Sequence, residues 1–376
     1  MRVLTLTPFY PTASDDAAGC FVAEPICALE RLGIESCVVA AEPFHRPRST
    51  ANGHPALWVR YASVPGGIGL ASAGVLLYAG LLAKVRELHQ SRPFDIIHAH
   101  AALPCGHAAT LLSRELRIPV VVTVHGLDAF FGNQVRGFAG AWCQRVTRFV
   151  YRSAARVVCI SGRVADKVTD GLAENPNIRV IYNGVNPQKF APAVSDSTRP
   201  VVLSVGNLIP IKGHEVLLRA FAALQNANVV CEIIGKGPQR SHLARLARDL
   251  KIADKVTFLG RQTREQVVEA MRRCTLFALP SRYEGLGCVY LEAMASGKAT
   301  IACREQGIEE IIRHGSNGWL VNPGDVRGMT DALSALLENA DLRQRMSGAA
   351  RDTILQGFTL EHQAARLAQL YREVVA

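Results

Sequence analysis

Short apolar runs alternate with segments of helical periodicity along most of the chain. The apolar runs, rich in valine and isoleucine, predict strands of a parallel sheet, because helices cover both faces of such strands. Between them, apolar residues recur three and four positions apart, which indicates helices with one buried face. The predicted strands lie at residues 2–7, 36–41, 94–98, 120–124, 157–161, 201–205, 229–235, 256–260, 276–279 and 299–302.

This order of elements predicts an α/β protein with two Rossmann-like, doubly wound domains facing across a cleft. A length of 376 residues suits two domains of roughly 150–200 residues. We assign residues 1–190 to an N-terminal domain, 191–358 to a C-terminal domain, and 359–376 to a helix that packs back on the first domain. The boundary falls in a segment of linker-like composition that contains Pro187, Pro192, Ser195, Ser197 and Pro200.

Composition narrows the class of protein. Hydrophobic residues make up 49% of the chain and charged residues 20%, which is typical of a globular protein. The ten cysteines are scattered without a CxxC pair, which favours a reducing compartment. The apolar run at the N-terminus is short and interrupted by Pro8 and Pro11, so it predicts a first buried strand and no signal peptide. We expect a cytoplasmic protein.

The net charge of +10 suggests anionic partners. No acidic residue occurs between Asp128 and Asp166, and four arginines in that gap have helical spacing on one face. This stripe suits an anionic membrane surface, whereas a solvated helix face is the alternative. Nucleic acid is not expected as a partner, because no nucleic-acid motif is present. The four arginines are Arg145, Arg148, Arg152 and Arg156.

An uncharged segment at residues 61–83 also bears on membranes. Pro65, Gly66 and Gly67 break its start, and the remaining apolar run is shorter than the roughly 20 residues of a membrane span. It predicts a buried or interfacial helix, at whose end Lys84 and Arg86 could meet lipid headgroups. Peripheral association with the inner face of the cytoplasmic membrane is therefore a hypothesis.

The segment SRYEGLGCVYLEAMASG, residues 281–297, carries the most specific chemistry. Its pattern places Glu284 in a glycine-rich loop and Glu292 on a helix at residues 288–295. A ligand over the helix N-terminus could meet both carboxylates, while the loop and first-turn N–H groups face a phosphate. This arrangement suits a molecule with hydroxyl groups at two ends and phosphate between them, although such spacing also occurs by chance.

Other candidate residues follow predicted strands, and the carboxyl ends of such strands form ligand sites. They are Gly19, His125, Asn207, Lys212 and Gly235. Lys212 could reach a diphosphate, since no GxxxxGK[ST] loop is present to hold one.

His98 and His100, on the strand predicted at residues 94–98 and just beyond it, are interpreted as pointing to opposite sides of the sheet. That interpretation argues against a shared metal ion, and no metal site is predicted.

The chain resembles the retaining glycosyltransferases of the GT-B fold, glycosyltransferase family 4, also described as glycosyl transferases group 1. The resemblance covers most of the chain and follows the order of the family's motifs. It rests on FDIIHAHAALPCG, TVHGLD, VIYNGVNPQKF, LSVGNLIPIKG, IIGKGP, VTFLG, LPSRYEGLGCVYLEAMASGKATIA and NGWLVNPGD. It implies transfer of a sugar from a UDP- or GDP-linked donor, bound mainly by the second domain, without a cofactor or an essential metal.

The resemblance also implies roles for single residues. Glu292 would bind the ribose hydroxyls, and Glu284 would hold the transferred sugar. Lys212 would neutralise the leaving diphosphate, and His125 would contact the sugar. Other expected donor contacts come from Gly19, Asn207, Gly235, Arg282, Gly285, Leu286 and Gly287.

One departure concerns Asn207, because the family often has arginine there as a second cation. Either Lys212 stabilises more of the leaving charge by itself, or another basic residue supplies the missing charge, with Arg282 as the first candidate and Arg261 as the second. We expect a retaining front-face reaction on a lipid-linked or cell-envelope glycan acceptor, with a double displacement as the alternative mechanism. A sugar-nucleotide epimerase and a non-enzymatic protein that binds anionic surfaces are the alternatives.

Overall fold

A computed structural model describes residues 1–45, 55–63, 69–126, 135, 137–172, 177–193, 199–225 and 228–376. Several features of the sequence analysis lie outside these ranges, namely Pro65, Gly66, Gly67, Asp128, Ser195 and Ser197. Two compact units form: unit 1 comprises residues 1–182 and 360–376, and unit 2 comprises residues 183–359. Residues 183–190, assigned above to the first domain, belong to unit 2, where the Phe190 ring is fully buried.

Unit 1 contains a seven-stranded parallel sheet with the order β3-β2-β1-β4-β5-β6-β7. Its strands are β1 Arg2–Thr7, β2 Glu35–Pro43, β3 Leu57–Tyr61, β4 Ile96–His100, β5 Val120–Val124, β6 Arg156–Cys159 and β7 Ile178–Val180. Its helices in the described ranges are α1 Cys20–Glu30, α2 Leu70–Ser91, α3 His107–Leu116, α4 Gly137–Ser153, α5 Gly162–Leu172 and, at the C-terminus, α12 Leu360–Val375.

Unit 2 contains a six-stranded parallel sheet with the order β10-β9-β8-β11-β12-β13. Its strands are β8 Val201–Val205, β9 Val230–Ile234, β10 Val256–Gly260, β11 Leu276–Ala278, β12 Ala299–Cys303 and β13 Trp319–Val321. Its helices in the described ranges are α6 His214–Ala222, α7 Arg240–Asp249, α8 Arg264–Arg273, α9 Cys288–Ala295, α10 Val326–Glu338 and α11 Ala340–Gly357.

Both sheets are doubly wound, as the alternating pattern predicted. In unit 1 the chain moves outward from β1 to β3 and then in the opposite direction from β4 to β7. Since crossover connections are right-handed, this reversal places helices on opposite faces of the sheet. In unit 2 the same reversal occurs between β8 and β11, which are hydrogen-bonded neighbours. Ligands of such sheets bind where the strand order reverses, so these two points are the places to search for a site.

The C-terminal helix α12 completes the core of unit 1. Leu367 and Tyr371 of this helix join a buried cluster with Val3, Ile96 and Val121 of the sheet. The chain enters and leaves unit 2 side by side, since the Val185 N–H donates to the Phe358 carbonyl oxygen at 3.0 Å.

Three sequence-based assignments were incomplete or wrong. Strands β3, β7 and β13 were missed, since the last two are three-residue strands whose pattern is too short to read. The third predicted strand begins two residues late in the structure, because the Asp95 carboxylate instead accepts the Arg2 N–H at 2.7 Å. Arg156 does not share a helix face with the other three arginines, since α4 ends at Ser153 and Arg156 starts β6.

Residues 70–83 of the uncharged segment lie in α2, and Tyr61 ends β3. This helix buries Leu77, Leu81 and Val85 against unit 1, while Val75 and Leu76 are exposed. In the part of the chain that the structure describes, no helix combines the length and hydropathy needed to cross a bilayer.

Candidate active site

Lys212 and Glu284 form an ion pair where the strand order of unit 2 reverses. Lys212 ends the short turn Pro210–Lys212 that follows β8, and Glu284 lies in the loop after β11. The Lys212 Nζ is 2.5 Å from Glu284 Oε1, and the Ser281 hydroxyl donates to the same oxygen at 3.0 Å. Only 18% of the lysine side chain and 10% of the glutamate side chain are exposed, so solvent screens the pair weakly.

Gln306, which the sequence analysis did not single out, holds the Glu284 loop in place. Its side-chain oxygen accepts the Glu284 N–H at 2.8 Å, and its amide nitrogen donates to the Arg282 carbonyl oxygen at 3.0 Å. The Arg282 N–H in turn donates to the Ile211 carbonyl oxygen at 2.7 Å. The loop is therefore tied on both sides, to the turn that carries Lys212 and to the segment after β12. The Arg282 side chain is exposed.

Glu292 forms a second buried ion pair, with Arg264. The Arg264 Nη1 donates to Glu292 Oε1 at 2.5 Å, and the guanidinium lies 4.8 Å above the centre of the Phe190 ring. Arg264 follows Thr263, whose side chain caps α8 in a capping box with Gln266. That box was readable as a helix start. No sequence signal could pair Arg264 with a carboxylate 28 residues away.

The N-terminus of α9 places main-chain groups next to Glu284. Gly287 caps the helix with a φ of 82°, and a Cβ there would lie 2.6 Å from the Tyr290 ring, so the position requires glycine. The Tyr290 hydroxyl donates to the Leu279 carbonyl oxygen at 2.7 Å and so ties the helix to the residue that follows β11. The Leu286 side chain is fully buried, so only its main chain could contact a donor; Gly285 is buried beside it.

Gly213 allows the Lys212 turn to approach the Glu284 loop. Its φ is 71°, and a Cβ would lie 2.0 Å from the Pro280 carbonyl oxygen. On the other side of β8, Gly235 lies against the Gly206 carbonyl oxygen, next to the exposed Asn207. The strand-end loops after β8, β9 and β11 therefore lie together at one edge of the sheet.

Histidines cluster where strands β4 and β5 of unit 1 end. The His98 and His100 rings are 4.5 Å apart, so the assignment to opposite sides of the sheet was wrong. Residues two apart on a strand share a face. His98 bonds the Tyr371 hydroxyl through Nδ1 at 2.6 Å and the Thr123 hydroxyl through Nε2 at 2.7 Å. His100 Nδ1 bonds His125 Nε2 at 2.9 Å.

Burial keeps these histidines neutral. It lowers the pKa of His98 and of His125 to about 3, and it lowers the pKa of His100 well below its ordinary value. The neighbouring His98 also lowers the pKa values of the other two rings. A neutral His125 has one donor and one acceptor nitrogen, and its Nε2 is already bonded to His100 Nδ1.

Gly19 and His125 are joined through aromatic side chains. The rings of Phe9 and Phe21 lie 5.9 Å and 4.8 Å from the His125 ring. Gly19, which begins α1 with a φ of 71°, packs so closely that a Cβ would lie 2.5 Å from the Phe9 carbonyl carbon. Of the segment TVHGLD, residues 123–126 are described, whereas Leu127 and Asp128 lie outside the described ranges.

The candidate residues therefore form separate groups. In unit 2, Lys212, Arg282 and Glu284 share one hydrogen-bonded network, and Glu292 belongs to the pair with Arg264. In unit 1, Gly19 and His125 share the surroundings of Phe9.

Comparison with known proteins assigns the family. The sequence model of glycosyl transferases group 1 matches residues 185–353, and that of glycosyltransferase family 4 matches residues 21–189. The alpha-D-kanosaminyltransferase of Streptomyces kanamyceticus is 30% identical over 304 residues, which cover 74% of this chain and 77% of that enzyme. The chain belongs to the glycosyl transferases group 1 family. Its resemblance to that family is thereby confirmed, and the protein is a glycosyltransferase that uses a nucleotide-sugar donor.

Solved structures support the same fold for this glycosyltransferase. The sucrose-phosphate synthase of Thermosynechococcus elongatus superposes with a TM-score of 0.83 at 21% identity, covering 99% of each chain. Anabaena HepE in complex with UDP-glucose superposes with a TM-score of 0.78 at 20% identity, covering 99% of this chain and 100% of HepE. The predicted pair of Rossmann-like domains of GT-B glycosyltransferases is confirmed.

Proposed function

We propose that this glycosyltransferase moves a sugar from a UDP- or GDP-linked donor to an acceptor hydroxyl and retains the anomeric configuration. Unit 2 would hold the donor, and unit 1 would face the acceptor. The pairing of Lys212 with Glu284 at the strand reversal of unit 2 carries this proposal, because it joins a cation for phosphate to a carboxylate for sugar hydroxyls. HepE binds UDP-glucose on the same fold, which supports a UDP-linked donor as the first one to test.

The charge balance of the reaction gives Lys212 its role. Breaking the bond between the anomeric carbon and phosphate leaves negative charge on the diphosphate, and a fixed cation stabilises that charge. Glu284 neutralises the charge of Lys212 in the structure. A bound diphosphate would compete for the ammonium group, and Glu284 would then turn its oxygens to the sugar hydroxyls. Basic side chains of the protein would thereby supply the positive charge that a metal ion could otherwise bring to the diphosphate. We therefore propose a metal-independent reaction.

Glu292 would bind the ribose hydroxyls with Arg264 behind it. The Arg264 guanidinium donates to one oxygen of the carboxylate, which leaves the other oxygen as the acceptor for a hydroxyl. The pair is buried, so the carboxylate stays oriented before the nucleotide arrives, and preorganisation of this kind favours binding.

Arg282 is the residue we propose as the second cation near the diphosphate. Its N–H is hydrogen-bonded to the Ile211 carbonyl oxygen next to Lys212, while its exposed side chain can reorient toward a ligand. Asn207 would add a hydrogen bond without charge.

The leaving phosphate oxygen would take the acceptor's proton in a front-face reaction, and the main chain of Gly235, Gly285, Leu286 and Gly287 would line the donor. His125 would contact the sugar, and the main chain of Gly19 would lie close to it.

We propose a lipid-linked or cell-envelope glycan as the acceptor, which the enzyme would glycosylate in the cytoplasm.

A donor screen tests the proposal. The purified protein is heated with UDP-glucose, UDP-galactose, UDP-GlcNAc and GDP-mannose in turn, and the true donor raises the unfolding midpoint by mass action. That donor is then incubated with and without acceptor in the presence of a chelator. The anomeric configuration of the product is read by NMR.

A matched variant locates the chemistry. Lys212→Ala should lower turnover by about 10²–10³-fold, while Arg245→Ala, which removes one charge from the exposed face of α7, should leave turnover unchanged. An inverted product, loss of activity with chelator, or conversion of the donor without acceptor would each contradict the proposal, and the last would indicate an epimerase.

A further inference from the structure

Helix α4 of unit 1 exposes aromatic and basic side chains on one face. Phe138 is 87% exposed and Trp142 is 41% exposed, while Cys143 and Val150 on the other face are buried. At 100° per residue, positions 138, 142 and 145 fall within about 60° of one another, so they form one strip along the helix. Together with Ala141 and Arg148 they line a shallow groove of about 650 Å³. These five residues are called the α4 surface below.

The charge of α4 is of one sign. The helix carries Arg145, Arg148 and Arg152 and no acidic residue. The nearby basic residues of α2 differ, because Lys84 is paired with Glu87 and Arg86 with Glu115. The exposed guanidinium groups of the α4 surface are therefore the stronger attraction for an anionic partner, although Arg148 also donates to the Gly171 carbonyl oxygen at 2.9 Å.

The order of residues along the strip points to a lipid surface. Phenylalanine and tryptophan at one end suit the boundary between headgroups and acyl chains, and arginines beside them suit lipid phosphates. Val75 and Leu76 on α2, which packs against α4, add exposed apolar area in the same unit. Nucleic acid would favour basic residues spread between stacked aromatics, and a protein groove would not require the excess of positive charge.

We propose that the α4 surface docks unit 1 on an anionic bilayer, with Phe138 and Trp142 entering the headgroup layer and Arg145 and Arg148 contacting lipid phosphates. The proposal deepens the proposed function, since it places the enzyme where a lipid-linked acceptor lies.

Vesicle co-sedimentation of the full chain tests this docking. Wild type should bind vesicles of phosphatidylglycerol and phosphatidylcholine and not vesicles of phosphatidylcholine alone. Arg145→Gln/Arg148→Gln should weaken binding roughly 30-fold at low salt and reduce its salt dependence. Phe138→Ser/Trp142→Ser should weaken it at least roughly tenfold with the salt dependence retained.

Matched controls come from unit 2. Arg245→Gln/Arg248→Gln removes two exposed charges from α7, and Leu355→Ser removes an exposed apolar side chain from α11. Both controls should bind vesicles as wild type does. Equal losses in the controls, or wild-type binding to neutral vesicles only, would overturn the proposal. So would tighter binding to an oligonucleotide than to anionic vesicles.

Trp142 supplies a second measurement. Brominated phosphatidylglycerol should quench wild-type tryptophan emission, and Trp142→Phe should keep vesicle binding while losing most of the quenching. Quenching that persists in Trp142→Phe would show that Trp142 does not enter the bilayer.

Nucleotide binding in solution separates the two proposals. α4-surface variants that lose vesicle binding yet are still stabilised by the donor leave the proposed function standing. Vesicle binding by wild type without stabilisation by any nucleotide sugar would instead contradict the proposed function and leave the docking intact.

Discussion

The Lys212 ammonium and the Glu284 carboxylate are 2.5 Å apart although 72 residues separate them in the chain. Two neighbouring strands, β8 and β11, bring them together, and Gly213 permits the contact because its main chain lies against the Pro280 carbonyl. Each member of the pair therefore keeps the other from being an uncompensated, largely buried charge.

Lys212→Ala is expected to lower kcat by about 10²–10³-fold, since one fixed stabiliser of developing negative charge is lost. It should also lower the unfolding midpoint, because Glu284 is left without its cation. Steady-state kinetics and thermal unfolding measure the two effects. The double variant Lys212→Ala/Glu284→Gln should regain the unfolding midpoint lost in Lys212→Ala, because no uncompensated carboxylate remains, but it should not regain the lost turnover. Wild-type kcat in the single variant would remove Lys212 from the chemistry.

Arg264→Met is expected to weaken binding of the free nucleotide by about tenfold while leaving the choice among sugars unchanged. The methionine keeps apolar contact with Phe190, but Glu292 loses the donor that orients it. Calorimetric titration with UDP or GDP gives the dissociation constant. In a double-mutant cycle with Glu292→Gln, a coupling energy of about 0.5–3 kcal/mol is expected for interacting groups. Strictly additive effects would show that the pair does not act together.

Gly213→Ala is expected to destabilise unit 2 by at least about 2 kcal/mol, because its φ of 71° is strained for alanine and its Cβ would overlap the Pro280 carbonyl. Thermal unfolding measures the loss. Gly348→Ala is the matched control, since this glycine lies inside α11 with no atom within 4 Å of an added Cβ. That control should stabilise the protein by up to about 1 kcal/mol. Similar behaviour of the two variants would contradict the assigned clash.

Arg282→Gln is expected to lower kcat by about tenfold if Arg282 serves as the second cation for the diphosphate, an effect of about 1.4 kcal/mol. Asn207→Arg should restore much of that loss, because it places a guanidinium at the end of the neighbouring strand β8. Steady-state kinetics of the two single variants and of the double variant test whether a guanidinium at position 207 can replace the one at position 282. A double variant as slow as Arg282→Gln alone would show that an arginine at position 207 does not replace the charge of Arg282.

Unit 1 is expected to lose stability as the pH falls below about 6.5. Burial lowers the pKa of His98 and His125 to about 3, so the folded state holds them neutral, whereas the unfolded chain takes up their protons below its ordinary pKa near 6.5. The stabilisation is thus complete above pH 6.5 and shrinks toward pH 3. At pH 5 the loss per histidine is on the order of 2 kcal/mol. Unfolding midpoints measured from pH 8 to pH 5 reveal it.

His98→Gln should make that decline shallower, since one proton-binding site is removed. His45→Gln, at an exposed histidine, is the control and should leave the decline unchanged. A decline of equal slope in wild type and His98→Gln would place the pH sensitivity elsewhere.

Much of the fold could be predicted from the sequence, because it depends on local patterns of apolar and polar residues. The strands at residues 120–124, 201–205 and 256–260 and the helix at residues 288–295 have the predicted bounds, and the C-terminal helix lies within the predicted residues 359–376. Buried parallel strands are continuous apolar runs, and glycine or capping residues mark the helix ends. The three-residue strands β7 and β13 left no such signal. The third strand was predicted two residues early because the buried Phe94 reads as its start, although the strand begins only after Asp95.

The sequence by itself determined the family, the two doubly wound sheets and the identity of the strand-end residues, because each of these depends on motifs or periodicity within a few tens of residues. Only the tertiary structure decided which partner each charged group meets. Arg264 with Glu292, Gln306 with Glu284 and His100 with His125 are contacts between segments that β-strand order brings together. No periodic pattern records such pairings, since they depend on the packing of segments far apart in the chain.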